Sequence, residues 1–196
     1  MTAVIEAVLG AIRDGYRHLG SEAQDDGTEL IGRAPHIAPE AWLHVIFRPL
    51  SPAEIEEVGT TLARPVPQEY RALLEQCNGL YLFSGSLSLD GLRSSPDRTS
   101  GIRQPFPLDI PNVDERPADA PDSAFFLGGY KKDGSLAYLD ADTGAVYRCG
   151  RGSARPLNRW ESFDEFLAAE FARLSTIYGQ DGVLVPGAIT TPAPDR

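Results

Sequence analysis

A chain of 196 residues, 42% hydrophobic and 23% charged, has the size and make-up of a globular domain with a substantial core. Its formal charge of −10 argues against direct nucleic-acid binding, which needs a basic footprint, and is compatible with a basic protein partner. No apolar run approaches a membrane span and the N-terminus lacks a basic n-region, so a cytoplasmic protein without membrane contact is expected.

In chain order, Val4, Ile5, Val8, Leu9, Ile12, Tyr16 and Leu19 predict a one-faced helix over 3–19 that ends at Gly20. Residues 20–40 are polar and carry Gly27, Gly32, Pro35 and Pro39. They read as a loop with at most a short strand near Leu30, and Asp25, Asp26 and Glu29 form a solvated acidic cluster in it. Residues 41–50 are dense in β-branched and aromatic side chains and predict a strand, placed at a sheet edge, that stops at Pro49. Ser51-Pro52-Ala53-Glu54 is a capping box with proline at the first helical position. Ile55, Val58 and Leu62 give the following helix its buried face, and Pro65 ends it.

Residues 65–91 organise the rest of the chain. Pro67 opens a short helix whose stripe is Tyr70, Leu73, Leu74 and Cys77, and Asn78-Gly79 stops it in the left-handed region. Leu80, Leu82, Leu87 and Leu89 then read as one half-buried strand, which Asp90-Gly91 turns.

From 93 to 122 periodicity disappears among Pro96, Pro105, Pro107, Pro111, Pro117 and Pro121. Loops of this length are often functional or mobile. Within it, Asp109, Asp114, Glu115, Asp119 and Asp122 against the single Arg116 make residues 109–122 acidic, while Phe106, Leu108, Ile110 and Val113 pin the segment to the body. It is either a partner-facing acidic loop or an irregular crossover.

Residues 125–149 predict a three-stranded meander, 125–130, 135–140 and 145–149, with Asp133-Gly134 and Thr143-Gly144 in its turns. Arg148, Arg151, Arg155 and Arg159 form a basic stretch that could touch phosphate, but Arg151-Gly152-Ser153-Ala154-Arg155 also suits an exposed loop, which the net charge favours. Ser162-Phe163-Asp164-Glu165 is a second capping box. Its helix carries Phe163, Phe166, Leu167, Phe171, Leu174 and Tyr178 on one side and ends at Gly179. Val183 to Val185 read as a short docked strand. One domain over 1–180 is expected, with 181–196 a partly disordered tail.

The residues offer little chemistry. His18, His36 and His44 form no metal-ligand spacing, no glycine-rich phosphate loop is present, and "FSGSL" at 83–87 is not a nucleophile elbow. Cys77 and Cys149 read as buried reduced thiols. No catalytic residue, metal or cofactor is expected.

Four pieces resemble one family in order. Residues 66–83, VPQEYRALLEQCNGLYLF, are followed by Phe125 to Gly129 with Asp133-Gly134, then by DADTGAVY at 140–147 and SFDEFLAAEF at 162–171. Together they resemble the signature of the Smi/Knr-type (SUKH) superfamily. The resemblance implies an α+β fold, a mainly antiparallel twisted sheet of about five or six strands with helices packed around it. For bacterial members it implies a non-catalytic immunity protein that binds and neutralises a cognate toxin. The alternative is a regulatory scaffold, since eukaryotic relatives take part in cell-wall signalling. The N-terminal 40 residues and the proline-rich loop match nothing in that signature. On the immunity reading the partner is a toxin with a basic surface, and the candidate contact residues are Tyr81, Phe106, Asp109, Asp114, Glu115, Asp119, Asp122 and Tyr130.

Overall fold

A computed structural model describes residues 2–94 and 103–195, so Pro96 of the proline-rich segment lies outside the described residues. Nine strands form one sheet in chain order, and every neighbouring pair is antiparallel. They are β1 Ser21–Ala23, β2 Glu29–Arg33, β3 Trp42–Ile46, β4 Leu80–Leu82, β5 Leu87–Leu89, β6 Ala124–Tyr130, β7 Leu136–Asp140, β8 Val146–Gly150 and β9 Ser153–Trp160. The helices are α1 Thr2–Tyr16, α2 Pro52–Thr61, α3 Gln68–Leu74 and α4 Phe163–Ile177, and a π-helical turn spans Ile110–Asp114. The class is α+β, as expected.

Nine strands exceed the expected five or six for three local reasons. Residues 20–33 are a hairpin rather than a loop, because Asp26 Oδ1 accepts the Thr28 N–H at 2.9 Å and Gly27 takes φ +92°, closing a tight turn between β1 and β2. This hairpin covers β3, which is therefore interior and not an edge. The supposed single strand 80–89 is two, since Phe83, Ser84 and Gly85 all take positive φ and fold β5 back on β4. Phe83 tolerates that conformation because its buried ring packs among Tyr16, His44 and Tyr178. Asp90-Gly91 is not a hairpin turn; Gly91 bridges Pro107 in parallel. Finally, the basic stretch is not an exposed loop: Arg148 lies on β8 and Arg155 and Arg159 on β9.

All four helices cover one face. Their apolar stripes, with Ile5, Ile12, Ile55, Val58, Tyr70, Leu73, Phe163 and Phe166, meet Leu43, Leu80, Leu82, Leu87, Leu127 and Leu139 from the sheet in one continuous core. Both predicted caps form. Ser51 and Glu54 bond reciprocally at α2; at α4 Ser162 Oγ accepts the Glu165 N–H, but the Glu165 carboxylate accepts the Glu161 N–H and the expected box is not reciprocal. Cys77 and Cys149 are buried free thiols, and burial pushes each up to about 12. Asn78, just past α3, holds Leu92 from both sides, donating to its carbonyl at 2.7 Å and accepting its N–H at 2.6 Å.

Among the described residues the opposite face carries none of the four α-helices. It bears two separate apolar patches, Leu30, Trp42, Val45 and Phe47 on one side, and Ala124, Phe126, Tyr138, Cys149 and Ala154 on the other. The segment 103–122 lies along β6. Asn112 fastens it by donating to the Leu108 and Phe126 carbonyls and accepting the Phe126 N–H at 2.9 Å.

Residues 181–195, expected as a partly disordered tail, lie against the body. Arg173 donates to the Thr190 carbonyl, Arg148 to that of Pro192 and Asn158 to that of Ala193, and Asp195 N–H donates to the Leu157 carbonyl.

Candidate functional site

Between the two apolar patches the helix-free face sinks into a groove of about 660 Å³. The strand register explains the depression. Val45 pairs Tyr81, Tyr81 pairs Ser88, Ser88 pairs Gly129, and Gly129 pairs Leu136, so one row of side chains crosses five strands on this face. In that row Ser88 is small and Gly129 has no side chain, and a trough opens between the bulkier ends. A β-bulge between Phe126 and Gly128 lies beside it. Gly128 has φ +143°, and a Cβ there would fall 2.2 Å from the Ser88 carbonyl oxygen. A Cβ on Gly129 would fall 2.4 Å from that of Ser135. Both glycines are required by close backbone approach.

One wall is aromatic. Tyr81 meets Phe47 edge-on at 4.9 Å between ring centroids and Phe106 at 5.2 Å. Phe106, Ile110 and Ile37 are exposed apolar side chains at its rim, and Phe106 is 57% exposed. Trp42, in the same apolar cluster as Phe47, also lines the groove beneath the Arg33 guanidinium. At the floor, Asp90 is 6% exposed, and Ser88 Oγ donates to its Oδ1 at 3.2 Å. Burial drives the Asp90 carboxyl well above the usual carboxylate range, and the Ser88 hydroxyl opposes that only partly.

The predicted contact residues divide into three groups. Tyr81 and Phe106 are brought together on the groove wall, and Glu115 lies at its rim. Tyr130 borders the groove but is 2% exposed, with the Arg148 guanidinium over its ring at 5.5 Å, so its side chain belongs to the interior. Among the acids, Glu115 pairs with Arg151 at 2.7 Å. Asp119 accepts from Ser153 Oγ and Ala154 N–H, both at 2.7 Å, and these bonds hold its carboxyl below the usual range. Those two acids tie the loop to the meander. Asp114 and Asp122 are exposed, and half-buried Asp109 faces a separate small cleft near Val58 and Leu62.

Sequence reasoning missed Asp90, Ser88, the Gly128-Gly129 pair, Trp42 and Ile37 as parts of one site. A signal existed in Leu87-Ser88-Leu89-Asp90, where two small polar residues occupy the alternate positions that face away from the helices. Their significance depends on Gly129 being their cross-strand neighbour, which local pattern does not reveal.

Among the described residues no group of three His, Cys, Asp or Glu side chains converges as a metal site, and no helix is long and apolar enough to cross a membrane. A comparison with curated proteins finds no match. The family comparison is positive: residues 49–169, from just past β3 into the first half of α4, match the SMI1 / KNR4 family (SUKH-1) model. That segment contains α2, α3, the groove floor, the proline-rich wall and the meander, and the chain belongs to the SMI1 / KNR4 family (SUKH-1).

Proposed function

We propose that this protein is a non-catalytic immunity protein that binds a cognate toxin through the helix-free face of its sheet and neutralises it in the cytoplasm. The observation that carries the reading is the groove itself. Exposed Phe106, Ile110 and Ile37 gather around one apolar depression on a chain of net charge −10. Contiguous exposed apolar surface of this kind marks interaction sites. Family membership supports a protein partner of the toxin kind, and the charge of −10 suits a basic partner because opposite fields speed encounter. Residues 1–180 act as one binding domain, with the C-terminal segment strapped to it.

The test is co-purification of the full chain with proteins encoded beside its gene, then calorimetry on any hit at low and high salt. A stoichiometric complex that abolishes the neighbour's toxicity, and weakens as salt rises, is the expected result. Absence of binding by any neighbour, with no harm to cells lacking the gene, sinks the reading.

A further inference from the structure

The groove floor holds one acid that the fold leaves without a charge partner. Among the described residues Asp90 enters no ion pair, and its carboxylate has only the Ser88 hydroxyl. A buried carboxyl is ordinarily paired with a cation, because solvent no longer stabilises it. None of the cations that line the groove pairs with it. Arg151 is held by Glu115, Arg103 Nη2 donates to the Glu40 carbonyl at 2.8 Å, and Lys131 is exposed on the turn after β6.

Access to Asp90 is kept open by missing side chains. A Cβ on Gly128 would lie 3.1 Å from Asp90 Oδ1. The approach runs past the Tyr81 and Phe106 rings, which are tilted 39° to each other. A flat cation with an apolar stem suits such a passage, because guanidinium stacks on aromatic faces and can bond a carboxylate with two N–H groups at once. An ammonium, compact and more strongly hydrated, suits it less. A purely apolar side chain would leave the acid as unpaired as before.

We propose that the groove is a receptor for an arginine side chain of the partner protein, with Asp90 as counter-charge at the floor and the Tyr81–Phe106 wall against the guanidinium plane. The proposal rests on the binding function above, which supplies the partner, and it names the chemical feature that the partner must present.

The full chain is titrated with N-acetyl-L-arginine N-methylamide, and with its lysine and norleucine counterparts, while backbone amide resonances are followed. Expected are shifts centred on Ser88, Asp90, Gly128 and Gly129, with a Kd on the order of 1–30 mM for so small a fragment. Lysine should bind several-fold more weakly and norleucine not at the floor. Asp90→Asn should weaken arginine at least tenfold, and Phe106→Ala, at an exposed position that leaves folding intact, should weaken it a few-fold. Uniform or absent shifts, equal binding of norleucine, or indifference to both variants overturns the pocket. The two claims fail separately. A neighbour-encoded toxin that binds Asp90→Asn as tightly as the wild type overturns the arginine pocket and leaves the immunity reading standing. Arginine binding at Asp90 with no neighbour-encoded partner sustains the pocket and removes the immunity reading.

Discussion

His44 is fully buried on β3 between Tyr16 and Phe83, at ring distances of 4.7 and 4.6 Å, and neither of its ring nitrogens has a hydrogen-bond partner. Burial lowers its pKa from 6.5 to about 3, so the folded protein keeps it neutral. The unfolded chain takes up a proton below pH 6.5 and the folded one does not, so stability falls as pH drops through that window, by ~1.4 kcal/mol per unit. Glu54, lowered to about 2 chiefly by Arg48, adds an acid loss only below its ordinary 4.5. Urea unfolding of His44→Phe should therefore show a flatter slope than wild type between pH 6.5 and 4.5; an unchanged slope would refute the assignment. Asp90 acts in the other direction. Its carboxyl, raised by burial, holds a proton more tightly in the folded than in the unfolded chain, so stability is lost as pH rises above the ordinary carboxylate range. Asp90→Asn should be as stable as wild type at neutral pH, or more so, as is common where an acid is kept for binding. A clear loss of stability would mean that the carboxylate is structural. Gly128→Ala forces a Cβ against the Ser88 carbonyl at positive φ and should cost about 2–4 kcal/mol in the same assay.

At the scale of elements, the C-terminal segment depends on one buried cation. Arg148 is 3% exposed. It donates to Ser135 Oγ at 2.8 Å, Asn158 Oδ1 at 2.9 Å, the Pro192 carbonyl at 2.9 Å and Asp133 Oδ2 at 2.6 Å. Arg148→Met should cost about 2–3 kcal/mol, less than a fully buried pair because Asp133 is partly in water. Hydrogen exchange should speed up at the Asp195 amide, whose bond to Leu157 lies in the strap that Arg148 helps hold. Exchange there unchanged from wild type would show that the strap is held independently. None of this was legible beforehand, since Arg148 among Arg151, Arg155 and Arg159 looks like one more surface arginine and its partners come from the β6–β7 turn, β9 and the tail. What was legible depended on local rules. The N-caps at Ser51 and Ser162 and the turns at Gly134 and Gly144 lie within a few residues of what they control, and those elements form where expected. The strands at 21–23 and 153–160 are stabilised by register with neighbours, and their polar sequences carry no alternation to announce them. Phe83 at positive φ likewise follows from packing, and no rule for turn residues points to a phenylalanine there.

At the scale of the whole molecule, helices close one face of the sheet and leave the other open. The proline-rich segment, set against β6 by Asn112, raises one side of that open face and carries Phe106 to its rim. The acids of that segment were the obvious candidates for contact with a basic partner, yet Glu115 and Asp119 hold it to the meander. The remaining pattern is an apolar rim, an aromatic wall and one buried carboxyl, within a molecule whose net charge sets the sign of its long-range field. Such an interface draws its affinity from a few desolvated anchors and its speed from the surrounding charge.

The decisive measurement is the affinity of the neighbour-encoded partner for Phe106→Asp beside Glu6→Arg, an exposed change on α1 at the covered face. Calorimetry should find at least a roughly 30-fold loss for Phe106→Asp, as for a central anchor, and little change for Glu6→Arg once salt screens its charge. Equal affinities for Phe106→Asp and wild type, or a loss confined to Glu6→Arg, would put the partner on the helical face and contradict the account.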